Sequence, residues 1–344
     1  MDQAVRKKNE LRTTIRDVAA DAGVSVAAVS KVLRNAYGVS DALRQKVDAS
    51  IERLDYRPSV AARGMRGRTF TVGILLVELS NPFLPAIVDG ASELLDSSDY
   101  KALIGVGHSA TAIEASLIER MIDNRMDGLL LIAPFMQTEE LERFARQIPI
   151  VAVAHHEDKA TLYDTVNSDD RLGAMLSVRA FVENGRRDIA YVAYDFTGSP
   201  GTAVAREREI GYLAAMQEAG LSDRARIIRL PRPGAPRQAE IAEVLAMPDR
   251  PEAMFVWSDL DAIPLINAAR LMGVAIPENL SIIGYDNSPV AALPPISLAS
   301  IDQNPREMGR TATELLLSRI EGRKKAEHCL IVPELVGRGS LRAG

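Results

Sequence analysis

A single cysteine, Cys329, and an aromatic share of 5% are what this 344-residue chain has least of. One thiol excludes an intramolecular disulfide framework and any zinc or iron–sulfur site built from several cysteines. No apolar run approaches the ~20 residues that span a bilayer. The opening MDQAVRKKNELR has neither the apolar stretch nor the small-residue cleavage site of an export signal. The sequence therefore predicts a soluble, cytoplasmic protein with no membrane partner. The signatures of a phosphate-cradling P-loop, a zinc protease, a nucleophile elbow and a dinucleotide site are also missing. Gly105-Val106-Gly107 lacks the third glycine of the last of these. No catalytic residue, metal ligand or cofactor is expected.

What is present is ordinary globular material, 47% hydrophobic and 25% charged, long enough for two or three domains. The net charge of −5 conceals a division. Residues 1–68 hold 14 Lys and Arg against 8 Asp and Glu, whereas the remainder holds 27 against 38. A small basic head on a large acidic body suits a head that meets a polyanion.

The head's pattern names the polyanion. Thr14 and Asp17 form a short capping box before a helix whose apolar face is Ile15, Val18 and Ala19. In Ala22-Gly23-Val24-Ser25, Gly23 supplies a left-handed turn residue and Ser25 caps a second helix, Val26 to Leu33. A third runs from Asp41 to about Leu54 with Leu43, Val47, Ile51 and Leu54 as its stripe. This is a helix-turn-helix, whose second helix enters the major groove of double-stranded DNA. Lys31 can donate to guanine, while Val26 and Ala27 offer only apolar contact to thymine methyls.

The stretch TIRDVAADAGVSVAAVSKVLR (14–34), with VSDALRQKV (39–47) and LDYRPS (54–59), resembles the DNA-binding signature of the lactose-repressor/galactose-repressor family of bacterial transcription regulators. It departs at Ala28-Val29-Ser30-Lys31, where the family usually has Thr-Val-Ser-Arg. The expected DNA contacts are Thr14, Ser25, Val26, Ala27, Ala28, Ser30, Lys31 and Arg34 in the head, with Arg57, Ala62, Arg63 and Met65 beyond it. Pro58 ends the third helix, and the arginine-rich run after it is too short to be a stable helix alone. The resemblance implies a hinge helix that folds on DNA and wedges Met65 into the minor groove.

From Phe70 onward short β-rich runs alternate with helical ones, which predicts βαβ organisation with a parallel sheet in each of two lobes. Ligand sites of such sheets lie at the carboxyl ends of strands, in the crevice between lobes. The body motifs SNPF (80–83), VNSDDRLG (166–173), REIGY (208–212), Ser258-Asp259 and IPENLSIIGYDN (276–287) resemble the same family, whose core has a periplasmic sugar-binding-protein fold. That resemblance makes Arg208 and Asp286 effector contacts. Strand ends add Asn81, Phe83, His108, His156 and Ser258. A guanidinium fork and a carboxylate suit vicinal hydroxyls, so a sugar or sugar derivative is expected. His155 and His156 are sequence neighbours whose side chains diverge, which poorly suits one metal. A histidine at a strand end, such as His108, is more often a loop brace than a ligand.

The domains are drawn as a head over 1–57, a hinge over 58–69 and a core over 70–344. Within the core, the first lobe covers about 70–165 and 302–328 and the second about 166–301 and 329–344. The predicted function is a ligand-responsive repressor, a homodimer on a pseudo-palindromic operator. A periplasmic-type binding protein and an unrecognised α/β enzyme remain as alternatives, and neither explains the basic head.

Overall fold

The computed structural model describes residues 13–33, 36–56, 68–194, 202–230 and 238–341, in two compact units that divide between Thr69 and Phe70. Arg34, Arg57, Ala62, Arg63 and Met65 lie outside the described residues, as do residues 231–237.

Among the described residues the first unit holds three helices: α1 (Ile15–Asp21), α2 (Val26–Leu33) and α3 (Asp41–Arg53). Asp17 reaches back to both the amide and the hydroxyl of Thr14, at 2.7 Å each, starting α1. Gly23 turns the chain at φ +64°, and Ser25 then accepts the Ala28 amide at 3.1 Å to open α2. Ser40 does the same for α3 through Leu43 at 3.3 Å. Val18, Ala19, Val29, Val32, Val47 and Tyr56 close a small core. Its rim is fastened by Asp21, which pairs with Arg53 at 2.6 Å and accepts from Ser50 on α3.

Among the described residues the second unit holds two six-stranded sheets. The first orders its strands β11-β5-β4-β3-β1-β2, all parallel. These are β1 (Thr71–Leu76), β2 (Lys101–Val106), β3 (Gly128–Ile132), β4 (Ile150–Val153), β5 (Asp164–Ser168) and β11 (His328–Ile331). The second orders β12-β10-β9-β8-β6-β7: β6 (Ile189–Tyr194), β7 (Arg226–Leu230), β8 (Ala253–Val256), β9 (Ser281–Tyr285), β10 (Ala299–Asp302) and β12 (Glu334–Val336). Only β12 is antiparallel to its neighbour.

Strand alternation feeds a core on each side of each sheet. In β1, Val72, Ile74 and Leu76 join helices α4 (Phe83–Ser97) and α11 (Pro305–Glu321) on one face. Leu75 meets α5 (Thr111–Asp123) and α6 (Thr138–Ala145) on the other. The second sheet is covered by α7 (Asp170–Glu183) and α8 (Thr202–Glu218) on one face, and by α9 (Gln238–Ala246) and α10 (Asp259–Leu271) on the other. Helices α4 and α11 cross so closely that a β-carbon at Gly90 would overlap the Arg306 carbonyl, and one at Gly309 the Ile87 carbonyl.

The lobe boundaries need correction. Limits at 165 and 328 cut through β5 and β11, which pair with each other in the first sheet (Val166 with Cys329), so that lobe extends to Ser168 and to Ile331. Every residue of β5 is buried, but its sequence, DTVNS, carries one apolar side chain and gives no strand signal. The chain passes between the lobes three times: after Ser168, after Asp302 and after Ile331. Among the described residues no helix is long and apolar enough to cross a membrane.

Candidate functional site

In the head, helical spacing divides α2 into two faces. Val29 and Val32 are buried, with Val26 and Leu33 packed at the core's edge. Ala27 and Lys31, one turn apart, point into solvent, and Ala28 is half-buried beside them. Ser30 is a correction to the expected contacts: it is buried, because it shares the arc of Val26, Leu33 and Val29. Ser25 is exposed with its hydroxyl accepting the cap bond, and the Thr14 hydroxyl is given to Asp17. Arg16 and Tyr37, which the sequence reading did not single out, are exposed as well. Tyr37 is a large ring left in water with no share in the head core, and that departure from the apolar stripe was its signal.

In the core, the carboxyl ends of the strands converge on one cavity of about 230 Å³. Ala133, Ala154 and Asp286 follow β3, β4 and β9 with left-handed backbones, at φ +52°, +54° and +98°. Strained non-glycine residues gathered on one cleft are a mark of a functional site. Trp257 follows β8, Gln303 follows β10, and Tyr194 ends β6.

Two polar constellations face this space. Arg208, buried on α8, donates from Nε to Asp170 Oδ1 at 2.7 Å and from Nη1 to the Trp257 carbonyl at 2.7 Å. Its guanidinium carbon lies 3.6 Å from the ring centre of Tyr285 and 4.4 Å from that of Trp257. The second oxygen of Asp170 takes His156 Nε2 at 2.7 Å. Burial pushes the Asp170 carboxyl up, and the Arg208 and His156 contacts outweigh it, so the group is held below its ordinary range.

Asp286 is the opposite case. Asn81 donates to its Oδ2 at 3.0 Å and Gln303 to its Oδ1 at 2.6 Å, but burial dominates and lifts the carboxyl to about 7. The Asn81 bond joins the two lobes, since Asn81 precedes α4 and Asp286 follows β9. Its neighbour Asp259 accepts from Ser300 at 2.7 Å and from the Ser288 amide at 2.6 Å, and burial raises it to about 6.

Of the expected effector contacts, Asn81, Phe83, Arg208 and Asp286 share the cavity wall. His156 reaches it only through Asp170. Ser258 is turned away and donates to Asp261 at 2.7 Å, the same carboxylate that receives the Tyr194 hydroxyl. His108 is exposed and outside the wall. His155 is in the wall instead. It contacts the Tyr163 hydroxyl at 3.1 Å, and burial pushes it down to about 4, so it is neutral at ordinary pH. Sequence reasoning missed Asp170, Trp257, Tyr194, Phe135 and Gln303. Asp170 stood inside the VNSDDRLG motif, directly before an apolar helical run. Trp257 is the chain's one tryptophan, at the end of a strand.

Comparison with known proteins bears on both units. Residues 14–59 match the model of the bacterial regulatory proteins of the lacI family, and residues 178–341 match a periplasmic binding protein-like domain. The chain is 30% identical over 334 residues to the HTH-type transcriptional repressor PurR of Photobacterium profundum, covering 96% of this chain and 98% of that one. A transcriptional regulator CelR–cellobiose complex shares 26% identity, covers 96% of this chain and 100% of the other, and superposes with a TM-score of 0.68. The Lac repressor bound to ONPG shares 23%, covers 96% and 99%, and gives 0.82, which speaks to the fold alone. A basic helix-turn-helix, a two-lobed parallel-sheet core and full-length similarity at this level agree: the chain belongs to the lacI family of DNA-binding bacterial transcription regulators.

Proposed function

We propose that the protein is a cytoplasmic repressor, acting as a homodimer on a pseudo-palindromic double-stranded operator, and that a sugar or sugar derivative in the inter-lobe cavity controls it. The observation that carries this reading is the convergence of Asn81, Arg208 and Asp286 with the rings of Phe83 and Trp257 on one cavity. Polar groups that fix hydroxyls beside aromatic faces that stack on a ring are the composition of a saccharide site. The similar CelR protein was solved with cellobiose, which favours the same class.

On this reading the head reads DNA through the outward arc of α2. Lys31 donates to guanine and Ala27 lies against the base edges, while Ser25, Ala28 and Thr14 flank them. Arg16 is placed to meet phosphate. The protein performs no chemistry on its effector and needs no cofactor. The effector acts by preferring one lobe arrangement, and the three crossings between the lobes are where that arrangement is set.

The test is selection of binding sites from random duplex DNA by the full chain, followed by titration of the recovered sequence with and without candidate sugars. The expected result is an inverted repeat whose affinity falls steeply with salt and shifts with one sugar. Recovery of no sequence above bulk DNA would reject the reading.

A further inference from the structure

Behind the cavity wall stands a carboxyl group that is not part of the wall. Glu114, in the first turn of α5, is 1% exposed. A buried carboxyl is ordinarily matched by a cation. Here the backbone opposes burial instead. The Phe135 amide donates to Oε1 at 3.1 Å and to Oε2 at 2.9 Å, and the Met136 amide adds a further bond. These bonds do not offset burial, and with Glu140 adding its charge the carboxyl is lifted to about 7. Gly107, at the end of β2, leaves room for the side chain: a β-carbon there would lie 2.5 Å from Glu114 Cγ.

The turn after β3 requires such an acceptor. Ala133 leaves the strand with a left-handed backbone at φ +52°, and Pro134 has no amide to give. The next two amides, of Phe135 and Met136, lie beyond the ladder, and a buried amide without an acceptor is costly. Glu114 takes both. Their side chains then part. Met136 is buried in the core with α5 and α6, while Phe135 is half-buried in the cavity wall beside Ala133 and Pro134. The loop after β2 is tied to the same point, because Ser109 lines the cavity and the carbonyl of Ala110 accepts the Glu114 amide at 3.0 Å. The second lobe repeats the device. Asp259, in the first turn of α10, takes the amide of Ser288, three residues past β9, as Phe135 stands three past β3. The segment it secures begins with Asp286.

Resting on the reading of this cavity as the effector site, we propose that Glu114 is a positioning residue of that site, which bonds the Phe135 and Met136 amides and so fixes the Phe135 ring where the effector meets it. Glu114 itself touches no effector. A side chain unable to accept both amides frees the turn, and the ring moves with it. A merely structural carboxyl would lower the unfolding midpoint and leave effector affinity alone.

The full chain, free of DNA, is titrated with glucose, galactose, ribose and cellobiose. Binding is followed by the fluorescence of Trp257, the chain's single tryptophan and itself in the wall. Glu114→Gln keeps one acceptor oxygen and Glu114→Leu keeps none. For a sugar that binds the parent, affinity should fall about threefold in the first and about tenfold in the second. Glu114→Gln should cost nothing further in a chain that already carries Phe135→Ala, the mark of one residue acting through another. A Glu114→Gln cost that is the same with and without the Phe135 ring overturns the proposal and leaves the effector site in place, as does parental affinity in a folded Glu114→Leu chain. Hydrogen exchange in the sugar-free chain decides the matter independently. The Phe135 and Met136 amides should exchange about tenfold faster in Glu114→Gln than in the parent, with the amides of β3 unchanged. Equal rates overturn the proposal. Silence of all four sugars on the parent chain overturns the sugar reading, and the exchange rates still decide whether Glu114 holds the turn.

Discussion

The DNA-reading helix and the effector cleft use similar residue types in opposite ways. On α2, Lys31 stands in solvent beside an alanine, with its charge offered outward. In the cleft, Arg208 is buried and bonded to a carboxylate and a carbonyl, with two rings against its faces. Water explains the contrast. A surface cation is solvated until a polyanion displaces its water and counterions, so it needs no partner in the folded protein. A cation lining a cavity loses its water on folding and must be compensated from within. Substitutions on the helix should therefore cost recognition and leave stability alone, while those in the cleft should cost both.

Arg208→Ala is the largest expected break. It strands Asp170, which is buried, and removing one member of a buried pair costs about 3–5 kcal/mol. Chemical denaturation should show that loss, and effector binding should vanish with it. Converting Asp170 to Asn in the same chain should recover part of the stability, because no buried charge is then left over. A single variant as stable as the parent would mean that the cleft's charges are solvated like those of the head.

The pH dependence of stability comes next. Burial raises Asp286 to about 7, Glu114 to about 7 and Asp259 to about 6. The folded core thus keeps protons that an unfolded chain releases near pH 4. Stability conferred by these groups is present at low pH and is lost as pH rises toward 7. Asp170 and Asp164 are held below their ordinary range and contribute in the other direction, losing their stabilisation on acidification. Asp286 faces Arg208 on α8, Asp259 on α10, Asn81 before α4 and Gln303 after β10. Asp286→Asn removes its titration, and should flatten the decline between pH 4 and 7 by up to about 1.4 kcal/mol per pH unit. A slope unchanged in that variant would show that Asp286 ionises in the fold as it does in water.

Lys31→Ala sharpens the comparison from the other side. Loss of a base-reading donor costs about 1–3 kcal/mol of discrimination. Site selection with the variant should relax one position in each half-site. Its unfolding midpoint should stay within the ±0.5 kcal/mol or so typical of surface changes. An unchanged consensus would leave Lys31 a phosphate contact and remove base reading by hydrogen bond from the described part of the head.

The same contrast explains what the sequence disclosed. The head's site is contiguous, so one stretch of about twenty residues carried turn, cap, stripe and outward face, and α2 runs from Val26 to Leu33 as read. Only the tilt of its inward arc, which takes in Ser30, lay beyond pattern reading. The cleft is assembled from strand ends of both sheets, and its cross-lobe bond joins Asn81 to Asp286 across more than half the chain. The family resemblance identified Arg208 and Asp286 as candidates, but not that Arg208 is already paired. That depended on Asp170, which ordinary periodicity marks only as a helix start. Strand β5 escaped for a related reason. Its polar residues are buried against partners within the first lobe: Asp164 pairs with Arg319 and Arg323, Thr165 meets His328, and Asn167 donates to the His155 carbonyl at 3.1 Å.

The smallest expected effect tests where the cleft ends. His108 follows β2 at a strand end, as the wall residues do, yet it is exposed and takes no part in the wall. Its backbone is left-handed at φ +52°, a conformation that costs asparagine less than alanine, so His108→Asn isolates the side chain from the turn. Effector affinity should stay within about twofold, as for other surface changes. His155 serves as the internal comparison, because it lies in the wall and is neutral; His155→Ala should weaken binding where His108→Asn does not. A tenfold loss in His108→Asn would mean that the loop after β2 folds over the occupied cleft. The site would then borrow a solvent-facing group of the kind the head depends on, and the division between exposed and compensated charge would hold only for the empty protein.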